Sequence, residues 1–285
     1  MRFVHIKKSL TRARDRIMLG LLGVALLAGV AKAAPGSELL SAWEASVETN
    51  AASIDHSAWQ GILDTYLTSH PSGINRFDYA ALKANAEDAA KLAGYLTSLQ
   101  ELDPRHYSRQ EQQAYWINFY NALTVRVVAD AYPVDSIRDI YQGWLPLGPW
   151  DDVHAEVAGM PLTLNNIEHG ILRPIWRDPR IHYAVNCASH GCPNLSPTVY
   201  TAANTEALLE AGARAYVNHP RGASFVDDDF LLISSIYEWY VEDFGGTEKT
   251  VIDHLMQYAE EELAARLKTF SGSIDYEYDW NLNKP

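Results

Sequence analysis

Apolar residues in the first half of the chain recur at three- and four-residue spacing, which is the pattern of amphipathic helices. The spacing predicts helices over residues 37–47, 57–67 and 77–102. The clearest apolar stripe is aromatic and covers residues 108–132, where Pro133 ends the predicted helix. The N-terminal half is therefore expected to be helical.

Beyond Pro133 several stretches alternate between apolar and polar residues, the pattern of half-buried strands. The alternation predicts two hairpins and two single strands, over residues 154–163, 224–233, 180–187 and 274–281. Helices are predicted between them, over residues 202–218, 235–244 and 247–270. The expected fold class is α+β, a helical N-terminal half packed on a small, largely antiparallel sheet with interspersed helices. A distant likeness to the papain and transglutaminase folds is part of this expectation.

A short helix is predicted after the first hairpin from its end signals. Asn165 is a suitable N-cap residue, and Glu168 follows three positions later, as in a capping box. Pro174 is expected to stop the helix. In this interpretation Glu168 has a structural role.

The first 33 residues have the layout of an export signal. They carry seven basic residues and one acidic residue, an apolar run over residues 17–30 and the triplet Ala31-Lys32-Ala33. We expect Sec-type export of a bacterial protein, cleavage after Ala33 and a periplasmic or secreted location; an uncleaved anchor is the alternative. Residues 34–285 are expected to form one α+β domain, with a helical extension over 34–56 and a C-terminal helix and strand over 247–285.

The charge balance argues against several classes of partner. The chain has 23 basic and 36 acidic residues among 285, a formal net charge of −13. Such a chain is not expected to bind nucleic acid or an anionic membrane surface through its overall charge. After the first 33 residues no run of apolar residues is long enough to span a bilayer, so no stable membrane insertion is expected after cleavage.

Both cysteines of the chain lie in one segment, residues 180–195. This segment also contains His182 and His190, so four potentially reactive side chains fall within eleven positions. Cys187 is placed at the end of the predicted strand, where a Ser-His-Gly loop begins. Reactive groups are often held on loops by a rigid scaffold.

Several motifs of this chain resemble the domain-of-unknown-function family 547. They are Tyr115-Trp-Ile-Asn-Phe-Tyr-Asn-Ala-Leu123, Leu164-Asn-Asn-Ile-Glu-His-Gly-Ile-Leu-Arg173 and the run from Arg180 through Cys187-x4-Cys192-Pro193. The similarity extends from about Trp59 through Tyr240 and includes the motifs at residues 78–82 and 234–240. Asn194 is a departure, because relatives often carry a second proline there.

The resemblance implies secretion in bacteria and, through fusions to glutaredoxin-like modules in eukaryotes, an association with thiol chemistry. On matching positions it points to seven site residues: Asn118, Asn121, Glu168, His169, His182, Cys187 and Cys192.

The first functional hypothesis is a thiol-dependent hydrolase or transferase acting on an amide, thioester or peptide-like substrate. The thiolate of Cys187 or Cys192 would attack an acyl carbon, with His169 or His182 as the base. The remaining polar residues would orient the imidazole, stabilise the oxyanion and bind the substrate. They are Glu168, Asn118, Asn121, Asn186 and His190. No cofactor is predicted, and the substrate itself is not readable from the sequence.

The second hypothesis is a non-catalytic binding or interaction module in an oxidising compartment, where Cys187 and Cys192 form a structural or redox-switching disulfide. The third is a zinc or copper site built from the same cysteines and histidines, although their spacing matches no zinc-finger pattern. Each polar residue also has a structural alternative. Asn118 and Asn121 would tie down backbone, His182 would be a core histidine, and His190 a turn residue.

Overall fold

A long buried helix, α4 (Arg109–Ala131), lies at the centre of the fold. The computed structural model describes residues 35–141 and 147–285. The helix predicted over 108–132 forms, and the Ser108 hydroxyl caps it by accepting a hydrogen bond from the Glu111 N–H. Three further helices precede α4 in the chain, and their apolar faces share its core: α1 (Ser57–Tyr66), α2 (Tyr79–Ala84) and α3 (Ala86–Glu101).

Two of the predicted N-terminal helices need correction. The expected helix over residues 77–102 is divided into α2 and α3, because the Asn85 side chain accepts hydrogen bonds from the Glu87 and Asp88 N–H groups and starts a new helix. The helix expected over 37–47, and with it the helical extension over 34–56, is wrong. Only the 3₁₀ turn Ser41–Trp43 forms, because the Glu38 and Leu40 N–H groups bond to carbonyls of another segment.

The strands form three small sheets among the described residues, and not the single sheet that was expected. The pairs β1 (Leu67–Thr68) with β2 (Arg76–Phe77) and β3 (Val153–Val157) with β4 (Met160–Thr163) are antiparallel. The third sheet has β5 (Ala223–Phe225) antiparallel to β6 (Phe230–Ser234), and β6 parallel to β7 (Ser273–Glu277). The α+β class and the largely antiparallel pairing are confirmed.

The hairpin over residues 154–163 forms as predicted. Its two turn residues, Ala158 and Gly159, have φ angles of 49° and 75°. Positive φ at both central positions matches the twist of the flanking strands, and glycine adopts it at little cost.

The short helix after this hairpin differs from the prediction in its cap, its type and its end. Thr163 and Asn166 exchange hydrogen bonds between side chain and backbone N–H, so the cap is not Asn165 with Glu168. Residues Asn166–Leu172 are a π-helix, and α5 (Arg173–Trp176) continues it through Pro174. Because no carboxylate is used for capping, Glu168 is available to the interior.

The predicted strand over residues 180–187 is wrong. Residues Pro179–Tyr183 form a 3₁₀ helix, followed by an irregular loop that contains both cysteines. The Asp178 side chain accepts from the Arg180 N–H, and Pro179 occupies the first turn. Asp before Pro is a helix-start signal, and in this segment it prevails over the alternating pattern.

The C-terminal part contains the helices α6 (Thr205–Val217), α7 (Ile236–Trp239), α8 (Glu248–Tyr258) and α9 (Glu261–Thr269). The expected helix over 235–244 divides into α7 and the 3₁₀ helix Val241–Phe244, and the one over 247–270 divides into α8 and α9. Part of this region builds a second hydrophobic cluster beside the α4 core. In the described part of the chain no helix is long and apolar enough to cross a membrane. The predicted export signal lies outside the described residues.

Candidate functional site

The loop that carries the cysteines has an unusual backbone at Ala188. This buried residue has a φ of 62°, in the left-handed region that costs a non-glycine residue about 1–2 kcal/mol. The Ala188 N–H donates to the Asn186 side-chain oxygen, and its carbonyl accepts from the Asn283 N–H. The Asn186 amide also donates to the Pro193 carbonyl. Asn186 therefore ties the two ends of the cysteine loop together.

Two asparagines of α4 fix the approach to this loop. Asn121 donates to the Ala184 carbonyl and accepts from the Asn186 N–H, at 2.9 and 2.8 Å. Asn118 makes the same pair of bonds with the carbonyl and N–H of Tyr200, at 2.7 and 3.0 Å. Both side chains are buried, and both amides are bonded to backbone. They are positioning residues in this arrangement.

The two thiols lie next to each other and differ in exposure. Cys187 Sγ is 2.7 Å from Cys192 Sγ, and both cysteines are free. Cys187 is half-buried, whereas Cys192 is 4% exposed and its sulfur accepts from the Cys187 N–H. Two hydroxyls also face Cys187 Sγ, Ser189 Oγ at 3.2 Å and Tyr278 Oη at 3.0 Å. The outer sulfur is thus surrounded by hydrogen-bond donors.

This arrangement separates the acidities of the two thiols. Burial opposes ionisation of Cys187, but hydrogen bonds from Cys192, Ser189 and Tyr278 outweigh it and lower the pKa of Cys187. Burial and the adjacent Cys187 raise the pKa of Cys192 well above its usual value. Burial, with the sulfurs nearby, also raises the pKa of Tyr278, so its O–H stays a donor. The pair therefore favours a thiolate on Cys187 and a thiol on Cys192.

The C-terminal segment completes the loop. The His190 and Gly191 N–H groups donate to the Asn281 and Asp279 carbonyls, each at 2.8 Å. Tyr278 lies in this same segment, directly after β7. Neither Tyr278 nor Ser189 was a predicted site residue, and Tyr278 is 91 positions from Cys187. No local pattern in the sequence reveals such a contact.

His190, which was predicted to bind substrate, is held between two other elements. Its Nδ1 is 3.3 Å from an Asp279 carboxylate oxygen, and its Nε2 contacts the Arg76 guanidinium. Burial and the nearby cations Arg76 and Arg221 lower the pKa of His190. Arg221 donates to the His190 carbonyl and to the Asn194 side chain. His190 and its neighbours therefore stabilise the loop from outside.

A second group of charged side chains is buried beside the thiols, and we call it the ionic cluster. Its members come from the π-helix, the start of α5, the 3₁₀ helix at 179–183 and the 3₁₀ helix at 241–244: Glu168, His169, Arg173, His182 and Asp243. His182 Nε2 lies 2.7 Å from Asp243 and its Nδ1 lies 3.6 Å from Glu168. The His182 ring stacks on Tyr240 at 4.1 Å. The strand-face histidine of the prediction is thus the centre of a buried ion network.

The protonation states in the ionic cluster follow from these contacts. Burial disfavours the His182 imidazolium, but the two carboxylates outweigh it and raise the pKa of His182. Burial alone would raise the pKa of Glu168. His169, His182 and Arg173 outweigh this effect and lower the pKa to about 2. Burial lowers the pKa of His169 to about 4, and its Nδ1 accepts from Arg173 Nη1 at 3.1 Å. The contacts therefore favour the charged form of His182 and the neutral form of His169.

The predicted pairing of a histidine with a catalytic thiol does not form. Across the described residues, the two sulfurs bond to each other and to Cys187 N–H, Ser189 and Tyr278, with no imidazole among their partners. His182 directs both ring nitrogens at carboxylates, so it has no free lone pair to act as a base. The ionic cluster still acts on the thiols, because the negative charge of Glu168 raises the pKa of Cys187.

The cysteines and histidines of the segment do not come together as metal ligands. Within the described parts of the chain, no group of three or more His, Cys, Asp or Glu side chains is arranged to hold a metal ion. The structure brings Cys187 and Cys192 together at one place and Glu168, His169 and His182 at an adjacent one. It adds four residues that the sequence analysis missed, Ser189, Tyr278, Arg173 and Asp243. Asp243 had one usable signal, since it closely follows the motif at 234–240.

Comparison with known proteins supports the family expected from the motifs. Residues 104–217 match the model of the family described as "Protein of unknown function, DUF547". The match is narrower than the similarity from Trp59 through Tyr240, and it leaves out Asp243 and Tyr278. No curated protein and no solved structure gave a match to the chain. From its motifs and from this match, the chain is a DUF547 domain-containing protein.

Proposed function

We propose that this protein carries out thiol–disulfide exchange, with Cys187 as the attacking cysteine and Cys192 as the resolving cysteine. The observation that carries the proposal is the 2.7 Å separation of two free thiols of opposite character. The half-buried Cys187 has a lowered pKa, and the buried Cys192 has a raised one. An accessible thiolate beside a protected thiol is the division of roles that exchange requires.

The reaction divides into two displacements. The Cys187 thiolate attacks one sulfur of a partner disulfide, which forms a mixed disulfide and expels the first partner thiolate. Cys192 then loses its proton and attacks Cys187, which closes the Cys187–Cys192 disulfide and expels the second thiolate. The partner gains two electrons and two protons, and a dithiol reductant would return the protein to its starting state. Hydrogen bonds that stabilise the Cys187 thiolate favour the reduced form of the protein, so the disulfide form would act as an oxidant.

The test uses Cys187→Ser and Cys192→Ser variants of the mature protein with a small mixed disulfide of thionitrobenzoate and mercaptoethanol. The wild-type protein is expected to release thionitrobenzoate and then mercaptoethanol, and to end as an intramolecular disulfide. Cys187→Ser is expected to be inactive. Cys192→Ser is expected to stop at a stable mixed disulfide on Cys187, visible by intact mass. Equal reactivity of the two cysteines, or no trapped adduct, would reject the proposal.

A second candidate is the thiol-dependent hydrolase or transferase favoured by the sequence. The observation in its favour is the lowered pKa of Cys187, because a thiolate is the nucleophile that this mechanism needs; the negative charge of Glu168 opposes it. This mechanism needs Cys187 alone as the nucleophile, with acylation of its sulfur. The two candidates therefore differ in whether Cys192 is required for turnover. A Cys192→Ser variant that still turns over p-nitrophenyl thioesters or esters many times would favour the hydrolase and count against exchange.

A non-catalytic module with a structural disulfide predicts that replacing either cysteine lowers the melting temperature and that the wild type has no exchange activity.

Export of the protein is part of the exchange proposal, because disulfides persist in oxidising compartments. Fractionation of bacterial cells that produce the full chain, with mass analysis of the N-terminus, tests it. A mature chain starting at Ala34 outside the cytoplasm is expected. Full-length protein in the cytoplasm would contradict it.

A further inference from the structure

In the described parts of the chain, no base is hydrogen-bonded to the buried thiol of Cys192. Its sulfur lies 2.7 Å from Cys187 Sγ and 2.9 Å from the Cys187 backbone nitrogen, and no imidazole or carboxylate is among its partners. The second displacement of thiol–disulfide exchange nevertheless requires a thiolate at Cys192. The groups that stabilise this thiolate must therefore be hydrogen-bond donors.

The Tyr278 hydroxyl is a donor that serves both sulfurs. Its Oη lies 3.0 Å from Cys187 Sγ, and it also bonds to Cys192, where it opposes the rise in pKa that burial causes. Because the two sulfurs are 2.7 Å apart, the O–H bond can turn from one to the other by rotation about the Cζ–Oη bond. The phenol can thus follow a negative charge that moves from Cys187 to Cys192.

The Ser189 hydroxyl differs from the phenol in the sulfur that it serves. Its Oγ lies 3.2 Å from Cys187 Sγ and 3.0 Å from Tyr278 Oη. Its hydrogen bonds within the described residues do not include one to Cys192. Substitution of the two hydroxyls therefore separates the two steps, because both touch the first sulfur and Tyr278 also acts on the second.

The charge on Cys187 decides which sulfur the phenol serves. In the reduced protein the Cys187 thiolate accepts from Tyr278 and from the Cys192 S–H, and its charge keeps the pKa of Cys192 high. When Cys187 is joined to a partner, its sulfur is neutral and no longer competes for the phenol. The Cys187 N–H still donates to Cys192 in that state. Formation of the mixed disulfide therefore favours ionisation of Cys192.

We infer that Tyr278 is a catalytic residue of both displacements, whose hydroxyl stabilises the Cys187 thiolate in the first and the Cys192 thiolate in the second. This inference rests on the proposed exchange activity and specifies how its second step is regulated. In that step the Cys192 proton passes to solvent, Cys192 Sγ bonds to Cys187 Sγ, and the bond from Cys187 Sγ to the partner sulfur breaks. The partner sulfur leaves with the bonding electron pair and takes up a proton. The resolving thiol thus becomes reactive when a partner is joined to Cys187.

The experiment measures the pH midpoint of each displacement with the mixed disulfide of thionitrobenzoate and mercaptoethanol. Release of thionitrobenzoate, whose rate depends on the reagent concentration, follows the first displacement. Loss of the mercaptoethanol adduct from Cys187, a first-order step measured by intact mass after acid quenching, follows the second. In Tyr278→Phe both midpoints are expected to rise by about one pH unit or more, the effect of losing a hydrogen bond to a charged sulfur. The phenyl ring keeps the packing on Trp239 and Trp280, whose ring centroids lie 4.8 and 4.6 Å away.

Ser189→Ala is the comparison variant, and Tyr276→Phe is the matched control. Ser189→Ala is expected to raise the first midpoint and to leave the second at its wild-type value. Tyr276→Phe removes a hydroxyl that bonds to Glu248, and it is expected to leave both midpoints unchanged.

Two results would overturn the inference while exchange itself stands. One is a second midpoint in Tyr278→Phe that equals the wild-type value. The other is a second midpoint that rises as far in Ser189→Ala as in Tyr278→Phe, because the effect would then not depend on the contact of the phenol with Cys192. No thionitrobenzoate release above that of Cys187→Ser would overturn the exchange proposal and this inference with it.

Discussion

At the level of single residues, the acidity of Cys187 depends on one side chain that is remote in the sequence. Tyr278 donates to Cys187 Sγ, and its Oη also lies 3.0 Å from the Ser189 Oγ. The phenol is buried, and its pKa is raised, so it remains a donor when the thiol ionises. The stabilisation of the thiolate is therefore expected to fall when this hydroxyl is removed.

The Tyr278→Phe variant tests this point. A hydrogen bond to a charged group contributes roughly 1.5–3 kcal/mol, so the pKa of Cys187 is expected to rise by about one unit or more. The pH dependence of Cys187 alkylation by iodoacetamide, followed by peptide mapping, measures the change. Tyr276→Phe is the control, because its hydroxyl bonds to Glu248 at the surface. An unchanged alkylation midpoint in Tyr278→Phe would show that the phenol does not support the thiolate.

Asn121 is expected to contribute to stability and not to a chemical step. Asn121→Ala leaves the buried Ala184 carbonyl and Asn186 N–H without their partner, which costs about 3 kcal/mol in the free energy of unfolding. Urea unfolding measures this loss. Asn50→Ala, which removes a surface bond to the His106 carbonyl, is expected to cost less than about 1 kcal/mol. Similar small losses in both variants would contradict the positioning role.

At the level of elements, the sequence is most informative where local and tertiary preferences agree. The limits of α4 follow from Ser108 and Pro133, and both hairpins follow from alternation and turn residues. The strand expected over 180–187 fails because Asp178 and Pro179 start a helix there. The helix expected over 37–47 fails for another reason, since its backbone bonds to residues far away in the chain.

The segment around Leu40 is packed directly on the π-helix, at Gly170. A Cβ added at Gly170 would lie 2.7 Å from Leu40 Cδ1, which is too close for an ordinary contact. Gly170→Ala is therefore expected to lower the free energy of unfolding by roughly 1–3 kcal/mol. The double variant Gly170→Ala with Leu40→Ala is expected to lose less unfolding free energy than the two single variants together. The smaller side chain at position 40 makes room for the methyl group added at position 170. Strictly additive losses in urea unfolding would show that the two residues do not pack together.

At the level of the whole molecule, three buried histidines are uncharged and tie stability to pH. Burial lowers the pKa of His56, His169 and His254 to about 4 in each case. In the unfolded chain these groups titrate near 6.5, so the unfolded state binds more protons between pH 6.5 and about 4. Stability is therefore complete above pH 6.5 and decreases as the pH falls through this window. The contribution of His182 to the free energy of unfolding changes with pH in the opposite direction. Because its pKa is raised, this contribution is complete below pH 6.5 and is lost at higher pH.

The prediction is a fall of the unfolding free energy from pH 6.5 to about 4, with up to roughly 3 kcal/mol from each buried neutral histidine. Urea unfolding at a series of pH values measures it. His56→Phe is expected to flatten the curve, because its Nε2 is buried without a partner and only a bond to Tyr95 is lost. His106→Gln, at an exposed position, is the control. A profile of the same slope in His56→Phe would rule out its contribution.

Only part of the candidate site could be predicted from the sequence. Cys187, Cys192, Glu168, His169 and His182 fall in two short motifs, so composition and motif order identify them. Their partition into a thiol pair and an ionic cluster depends on the π-helix and on the 3₁₀ helix, which no periodicity indicates. Tyr278, Asp243 and the loop contacts of residues 279–283 arise from tertiary packing, so no local pattern identifies them.

The C-terminal segment also has a consequence for the order in which the protein matures. The Asn283 backbone bonds to Phe77 and Ala188, and its side chain accepts from the Tyr79 hydroxyl. Residues that are synthesised well after the cysteine loop thus close contacts between the first half of the chain and this loop. Until translation reaches them, a nascent chain contains both cysteines without the Tyr278 hydroxyl. The Cys187 thiolate therefore gains this hydrogen bond only after residues 278–283 have been synthesised, which limits unwanted cross-linking of the growing chain.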